Sequence, residues 1–170
     1  EALCHLFHRK RGLNCIILRT SRFFPEEDDD KTKRENYDDN NAKANEYLFR
    51  RVELEDVVSA HFAAAARAPD LGFGRYIISS NTPFLSEDLL ELNTNAPAVV
   101  QQRVPNYLEV YNKLNWRMFD KIDRVYVNDA ARVDLGWHPK YDFAYILACL
   151  RKGNFPKSPI SKVVGSKGYH

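Results

Sequence analysis

Hydrophobic positions change period repeatedly along the chain, and each change marks an element. In residues 1–11 (EALCHLFHRKR), Leu3, Leu6 and Phe7 recur at helical spacing, and Gly12 follows as a stop. The basic last turn, from His8 to Arg11, complements the negative end of the helix dipole. Residues 14–20 carry an unbroken apolar run, Cys15-Ile16-Ile17-Leu18, the pattern of a strand covered on both faces in a parallel sheet. Residues 26–46 have almost nothing to bury and read as an exposed acidic loop. Residues 47–53 form a short predicted strand, in which Arg50 and Arg51 would point to opposite faces.

A helix follows over 55–67, with acids in its first turn and Val57, Val58, His61 and Ala64 along one side. Another strand is predicted over 74–80. Ser86 caps a short helix over 87–92, and Asn95 with Pro97 reads as a cap followed by a first-turn proline. Pro105 opens a helix bearing Leu108, Tyr111 and Leu114, and the four-residue spacing of Tyr107 and Tyr111 turns both toward the core. Residues 124–127 read as a strand. Asn128 or Asp129 starts a helix that closes at Leu-Gly-Trp (135–137), and Asp142 caps a helix ending near Gly153. From residue 154 onward no periodicity remains. Strands and helices alternate, so the expected class is α/β.

Composition changes this picture little. The chain is 44% hydrophobic and 28% charged over 170 residues, which is ordinary for a soluble domain and long enough for one core. No run approaches the ~18 apolar residues of a membrane span. The three cysteines, Cys4, Cys15 and Cys149, sit apart in apolar segments and read as reduced core thiols, which suits a cytoplasmic protein. No metal centre is expected from His5, His8, His61, His138 and His170, nor from Asp28-Asp29-Asp30, a solvated charge run.

Charge does matter. Residues 26–46 hold nine acids and four bases, a net of −5, so the rest carries +7 of a whole-chain +2. A mildly basic body suits a phosphate-bearing ligand. It shows no Lys/Arg stripe or motif of a nucleic-acid binder.

Four segments, in order, resemble the C-terminal half of the extended short-chain dehydrogenase/reductase family, the NAD-dependent epimerases and dehydratases. LRTSRFFP (18–25) is similar to the family's Leu-Arg-x-x-Asn-x-Tyr-Gly-Pro. RVELEDVVSAH (51–61) is similar to its Val-x-Val-x-Asp-Val-x-x-Ala turn, GRYIISSNTPFLSEDLLEL (74–92) to its strand, polar turn and helix, and DAARVDLGWHPKYDF (129–143) to its helix ending in Leu-Gly-Trp-x-Pro.

The resemblance implies the later portion of a doubly wound Rossmann-like sheet plus a smaller substrate-binding domain. Residues 1–25 would be the last helix and strand of the dinucleotide-binding domain, 26–46 an acidic loop, 47–153 the substrate-binding region and 154–170 a tail. It also implies NAD or NADP as cofactor and a sugar or nucleotide-sugar substrate. The family's Tyr-x-x-x-Lys and Gly-rich turn are expected upstream of Glu1, as is more chain generally, because the first helix lacks a cap and Met118 is the only methionine.

Within this chain the resemblance assigns the substrate to Arg22, Phe23 and Phe24, and the cofactor to Phe24 and Pro25. Arg22 replaces the family's Asn and would suit a carboxylate or phosphate, unless Glu26 or Glu27 pairs with it. Arg117, which with Asp120 resembles the family's Arg-x-x-Asp, is the candidate for a diphosphate. Arg124 competes for that role, and Arg50 is a further candidate. Asp56 reads as a first-turn or capping residue, and Gly136, Trp137 and Pro139 as packing and turn residues. A non-catalytic subunit of a larger assembly is the alternative function, and a free-standing binding module a third. A homodimer is open under either of the first two readings.

Overall fold

The computed structural model describes residues 1–25, 28 and 30–165. They form a mixed α/β structure around a two-stranded parallel sheet of β1 (Cys15–Thr20) and β2 (Phe73–Ile78), with Cys15 opposite Phe73 and Thr20 opposite Ile78. A parallel pair cannot be joined by a tight turn, and α4 (Leu54–Leu71) lies in the crossover between the strands. A sheet of two strands is compatible with the α/β expectation but does not by itself make a doubly wound fold.

The buried apolar side chains form two cores. One joins α4, β2 and α7 (Asp129–Leu135) through Val57, Ala60, Ile78, Leu135 and Trp137, with Ile16 and Leu18 of β1 packed against it. The other joins α3 (Asp39–Glu46), α5 (Leu89–Arg103), α6 (Tyr107–Leu114) and α8 (Phe143–Arg151) through Ala44, Val100, Tyr111 and Ile146. Tyr107 and Tyr111 are buried as their spacing implied.

Several expectations need correction. Helix α1 (Ala2–Arg11) does end at Gly12, but Leu3, Leu6 and Phe7 are exposed. The acidic stretch is not a loop throughout: it contains α2 (Lys31–Asn36) and the buried α3. Asp30 and Asp38 start these helices by accepting from the backbone N–H groups of Thr32 and Lys33, and of Asn40 and Asn41. Burial of α3 is tolerable because its carboxamides are bonded: Asn41 and Asn45 each donate to the Arg117 carbonyl at 3.0 Å, and Tyr111 donates to Asn45 at 2.8 Å.

Residues 47–53 are turns and a single bridge rather than a strand, with Arg22 bridged to Arg51. Residues 124–127 join no ladder among the described residues; Tyr126 N–H donates to the Phe49 carbonyl at 2.8 Å. In the tail, Ser158 caps α9 (Pro159–Val164), and Glu53 accepts from Ser158 N–H and Ser161 Oγ–H. Cys4, Cys15 and Cys149 are free and half-buried, not core residues.

Candidate functional site

The carboxyl end of β1 runs into Ser21 and Arg22, and here the chain segments converge. Ser21 N–H donates to Ile78 O at 2.9 Å, Arg22 N–H to Arg50 O at 3.1 Å, and Val52 N–H to Arg22 O at 2.9 Å. These backbone bonds bring three arginines from two segments to one place.

Glu46, at the end of α3, is their common partner. Its Oε1 accepts from Arg50 Nη2 at 2.6 Å and its Oε2 from Arg51 Nη1 at 2.9 Å, with Arg22 Nε 3.9 Å away. Asp28 lies 3.2 Å from Arg22, 3.4 Å from Arg50 and 3.6 Å from Lys33. Burial by itself would raise the Asp28 carboxyl. The Asp30 N–H and the charges of Arg22, Lys33 and Arg50 outweigh it and hold the group below its ordinary range. Among the described residues, Arg22, Arg50, Arg51 and Lys33 thus gather around Glu46 and Asp28. Arg22 and Arg50 keep 31% and 25% of their side chains exposed, whereas Arg51 is buried at 6%, so the first two can reach a ligand.

The expectation that Arg50 and Arg51 face opposite ways is overturned. They lie in a turn, not a strand, so the two-residue alternation does not apply, and both reach Glu46. Arg51 Nη2 also donates to the Phe24 carbonyl at 2.5 Å, and Lys43 Nζ to the Pro25 carbonyl at 2.5 Å. The Phe23 and Phe24 rings lie 4.3 Å apart; Phe23 packs against the sheet core and Phe24 is exposed. Glu26 and Glu27, the partners first considered for Arg22, lie outside the described residues.

Arg117 and Arg124 do not join the cluster. Arg117 lies 4.6 Å over the Tyr37 ring and donates to the Asn36 carbonyl at 2.6 Å. Arg124 pairs with its neighbour Asp123 at 3.2 Å and is mostly exposed. Between Arg50 and Tyr37 opens a cavity of about 410 Å³, walled by Phe49 and Phe119 and rimmed by both cations and carboxylates, Lys33 and Lys121 with Asp120 and Asp123.

Sequence reasoning missed Glu46, Asp28, Lys33 and Ser21. Glu46 stands four residues before Arg50, a spacing that pairs charges on a helix, but the assumed loop concealed it. Among the described residues, Ser21 Oγ is the buried side-chain polar atom with no hydrogen-bond partner. No group of three or more His, Cys, Asp or Glu among them could hold a metal ion, and no helix among them is long and apolar enough to cross a membrane.

No protein-family model, curated protein or solved structure matches the chain.

Proposed function

We propose that the chain is the substrate-binding half of an NAD(P)-dependent oxidoreductase of the extended short-chain dehydrogenase/reductase type, acting on a hydroxyl of a sugar or nucleotide-sugar. The convergence of Arg22, Arg50 and Arg51 at the carboxyl end of a parallel strand carries this reading, since open parallel sheets bind ligands at that end.

Each residue has a definable part. Glu46 fixes Arg50 and Arg51, so that their guanidinium groups are ordered before a ligand arrives and less entropy is lost on binding. Arg22 and Arg50 offer forked donors to a phosphate or carboxylate. The walls made by Phe49 and Phe119 would receive the apolar face of a ring.

A nicotinamide cofactor, when bound, supplies hydride acceptance and return. One observation bears on this reading: among the described residues the buried Ser21 hydroxyl, between β1 and Arg22, has no hydrogen-bond partner. Ser21, Phe24 and Pro25 are the residues of this chain that would hold it.

The test is calorimetric titration of the full-length protein with nucleotide-sugars, followed by reduced-nicotinamide absorbance with NAD or NADP and a sugar panel. Saturable binding weakened at least about tenfold by Arg22→Ala, together with nicotinamide reduction, is the expected result. Binding without any turnover would replace this reading with a non-catalytic subunit of a larger assembly. Absence of both binding and turnover would remove it.

A further inference from the structure

Helix α1 does not lay its apolar stripe on the sheet. Glu1 pairs with Arg19 near the end of β1, with Oε2 2.6 Å from Nη2, while His8 Nδ1 lies 2.9 Å from the Leu13 carbonyl just before β1 begins. The helix therefore runs antiparallel along β1. Glu1, Cys4, His5 and His8 follow the one-, three- and four-residue steps of a single helical face, and that face meets the sheet. The His5 and His8 rings lie 4.9 Å and 5.5 Å from the ring of Phe73, which is the sheet neighbour of Cys15.

Alternation along β1 independently sets which of its residues look at α1. Arg19 reaches Glu1, so Cys15 and Ile17 share its face, whereas Ile16 and Leu18 pack against the core beneath α4. Cys4 and Cys15 thus face each other between helix and strand, and the neighbouring Cys4 thiol, together with burial, pushes the Cys15 thiol above its ordinary range. Both are half-buried rather than fully enclosed.

We propose that Cys4 and Cys15 form a reversible dithiol/disulfide pair, oxidised by a low-molecular-weight disulfide. One cysteine, as thiolate, attacks a sulfur of that disulfide, giving a mixed disulfide and one released thiol. The second cysteine loses its proton and attacks the protein-bound sulfur, closing the Cys4–Cys15 bond and releasing the second thiol. Two electrons pass from the cysteine pair to the reagent, and two protons end on the released thiols. Helix α1 buries none of its residues, so it can shift by the distance that the new bond requires. The consequence is a covalent tie between α1 and the strand that leads into Arg22.

The experiment uses the reduced full-length protein, equilibrated with oxidised glutathione, alkylated and digested with trypsin. Cleavage ends the Cys4 peptide at Arg9 and places Cys15 in the separate peptide 12–19. The expected result is a disulfide joining these two peptides, reversed by dithiothreitol, with Cys149 unlinked to either. In Cys15→Ser, Cys4 should instead retain glutathione as a stable mixed disulfide, because the resolving thiol is gone. Recovery of Cys4 and Cys15 separately alkylated, separately glutathionylated, or joined to Cys149 would overturn the proposal. The wild-type peptide map decides the matter whether or not the variant folds.

Discussion

Arg51 and Glu46 form the most deeply buried ion pair among the described residues, Nη1 to Oε2 at 2.9 Å with side chains 6% and 2% exposed. Such a pair is worth little against an apolar replacement, but breaking it by removing one partner is costly. Glu46→Ala leaves Arg51 buried without its counter-charge and releases Arg50 as well. Urea unfolding should show a loss of about 3–5 kcal/mol. A loss within about 0.5 kcal/mol, the ordinary value at a surface site, would mean that Glu46 does not organise the cluster.

Asp56 ties α4 to a segment far along the chain. Its carboxylate accepts from Lys140 N–H at 2.9 Å and Tyr141 N–H at 3.0 Å, while its own carbonyl accepts from the Trp137 indole at 3.1 Å. The first-turn position was readable from sequence, but the role is a long-range clasp rather than a cap. Asp56→Ala should cost about 2–3 kcal/mol, since two backbone donors lose a charged acceptor. Asp56→Asn should fall between variant and wild type, because the carboxamide offers a single acceptor oxygen. Equal losses in the two variants would argue against the clasp.

The two acids should tilt stability in opposite directions with pH. The Asp28 carboxyl is held below its ordinary 3.8, so its contribution is present above that value and is lost as pH falls through the lower folded-state pKa. The Asp56 carboxyl is raised above 3.8, first by burial and further by Glu53 and Glu55, although the two N–H bonds oppose this. Its contribution is present below 3.8 and is lost as pH rises through the raised value. Thermal melts of wild type against Asp28→Asn should converge toward low pH. The wild-type advantage over Asp56→Asn should instead shrink as pH rises through the carboxylate range. Parallel profiles for the two variants would contradict these assignments.

Gly74 is required by a neighbour, not by its backbone. A Cβ there would lie 2.5 Å from Cε2 of the Tyr76 ring, which crosses over the glycine and donates to Asp134 Oδ2 at 3.1 Å. Gly74→Ala should cost about 1–3 kcal/mol by overpacking. Combining it with Tyr76→Leu should recover part of that loss relative to Tyr76→Leu measured alone. Strict additivity of the two changes would show that the ring is not the obstacle.

Local signals in the sequence were sufficient wherever one side chain answers a neighbouring backbone group. Asp142 accepts from Tyr145 N–H at 2.9 Å and starts α8 as expected, and Gly136 closes α7 with φ of 65°. Asn95 accepts from Ala98 N–H at 3.4 Å and breaks α5 at the position that Asn95 and Pro97 indicated. Of the site, Arg22 and Arg50 were legible, because arginines beside a strand end are conspicuous. Their partners were not: Asp28 and Glu46 belong to a stretch whose composition resembles a solvated loop.

The sequence by itself determined the mixed α/β character, the strand at Cys15 and the Asp142 cap of α8, since these depend on contacts a few residues long. Only the tertiary structure decided that α3 is buried, because its amides Asn41 and Asn45 find the Arg117 carbonyl 76 and 72 residues away. It likewise decided which face of α1 meets the sheet. Periodicity reveals that a helix has an apolar stripe, but the Glu1–Arg19 pair and the histidines over Phe73 turn a different stripe inward. The three-arginine cluster has the same origin. Backbone bonds between Arg22 and residues 50–52 align segments nearly thirty residues apart, and no pattern along the chain records that pairing.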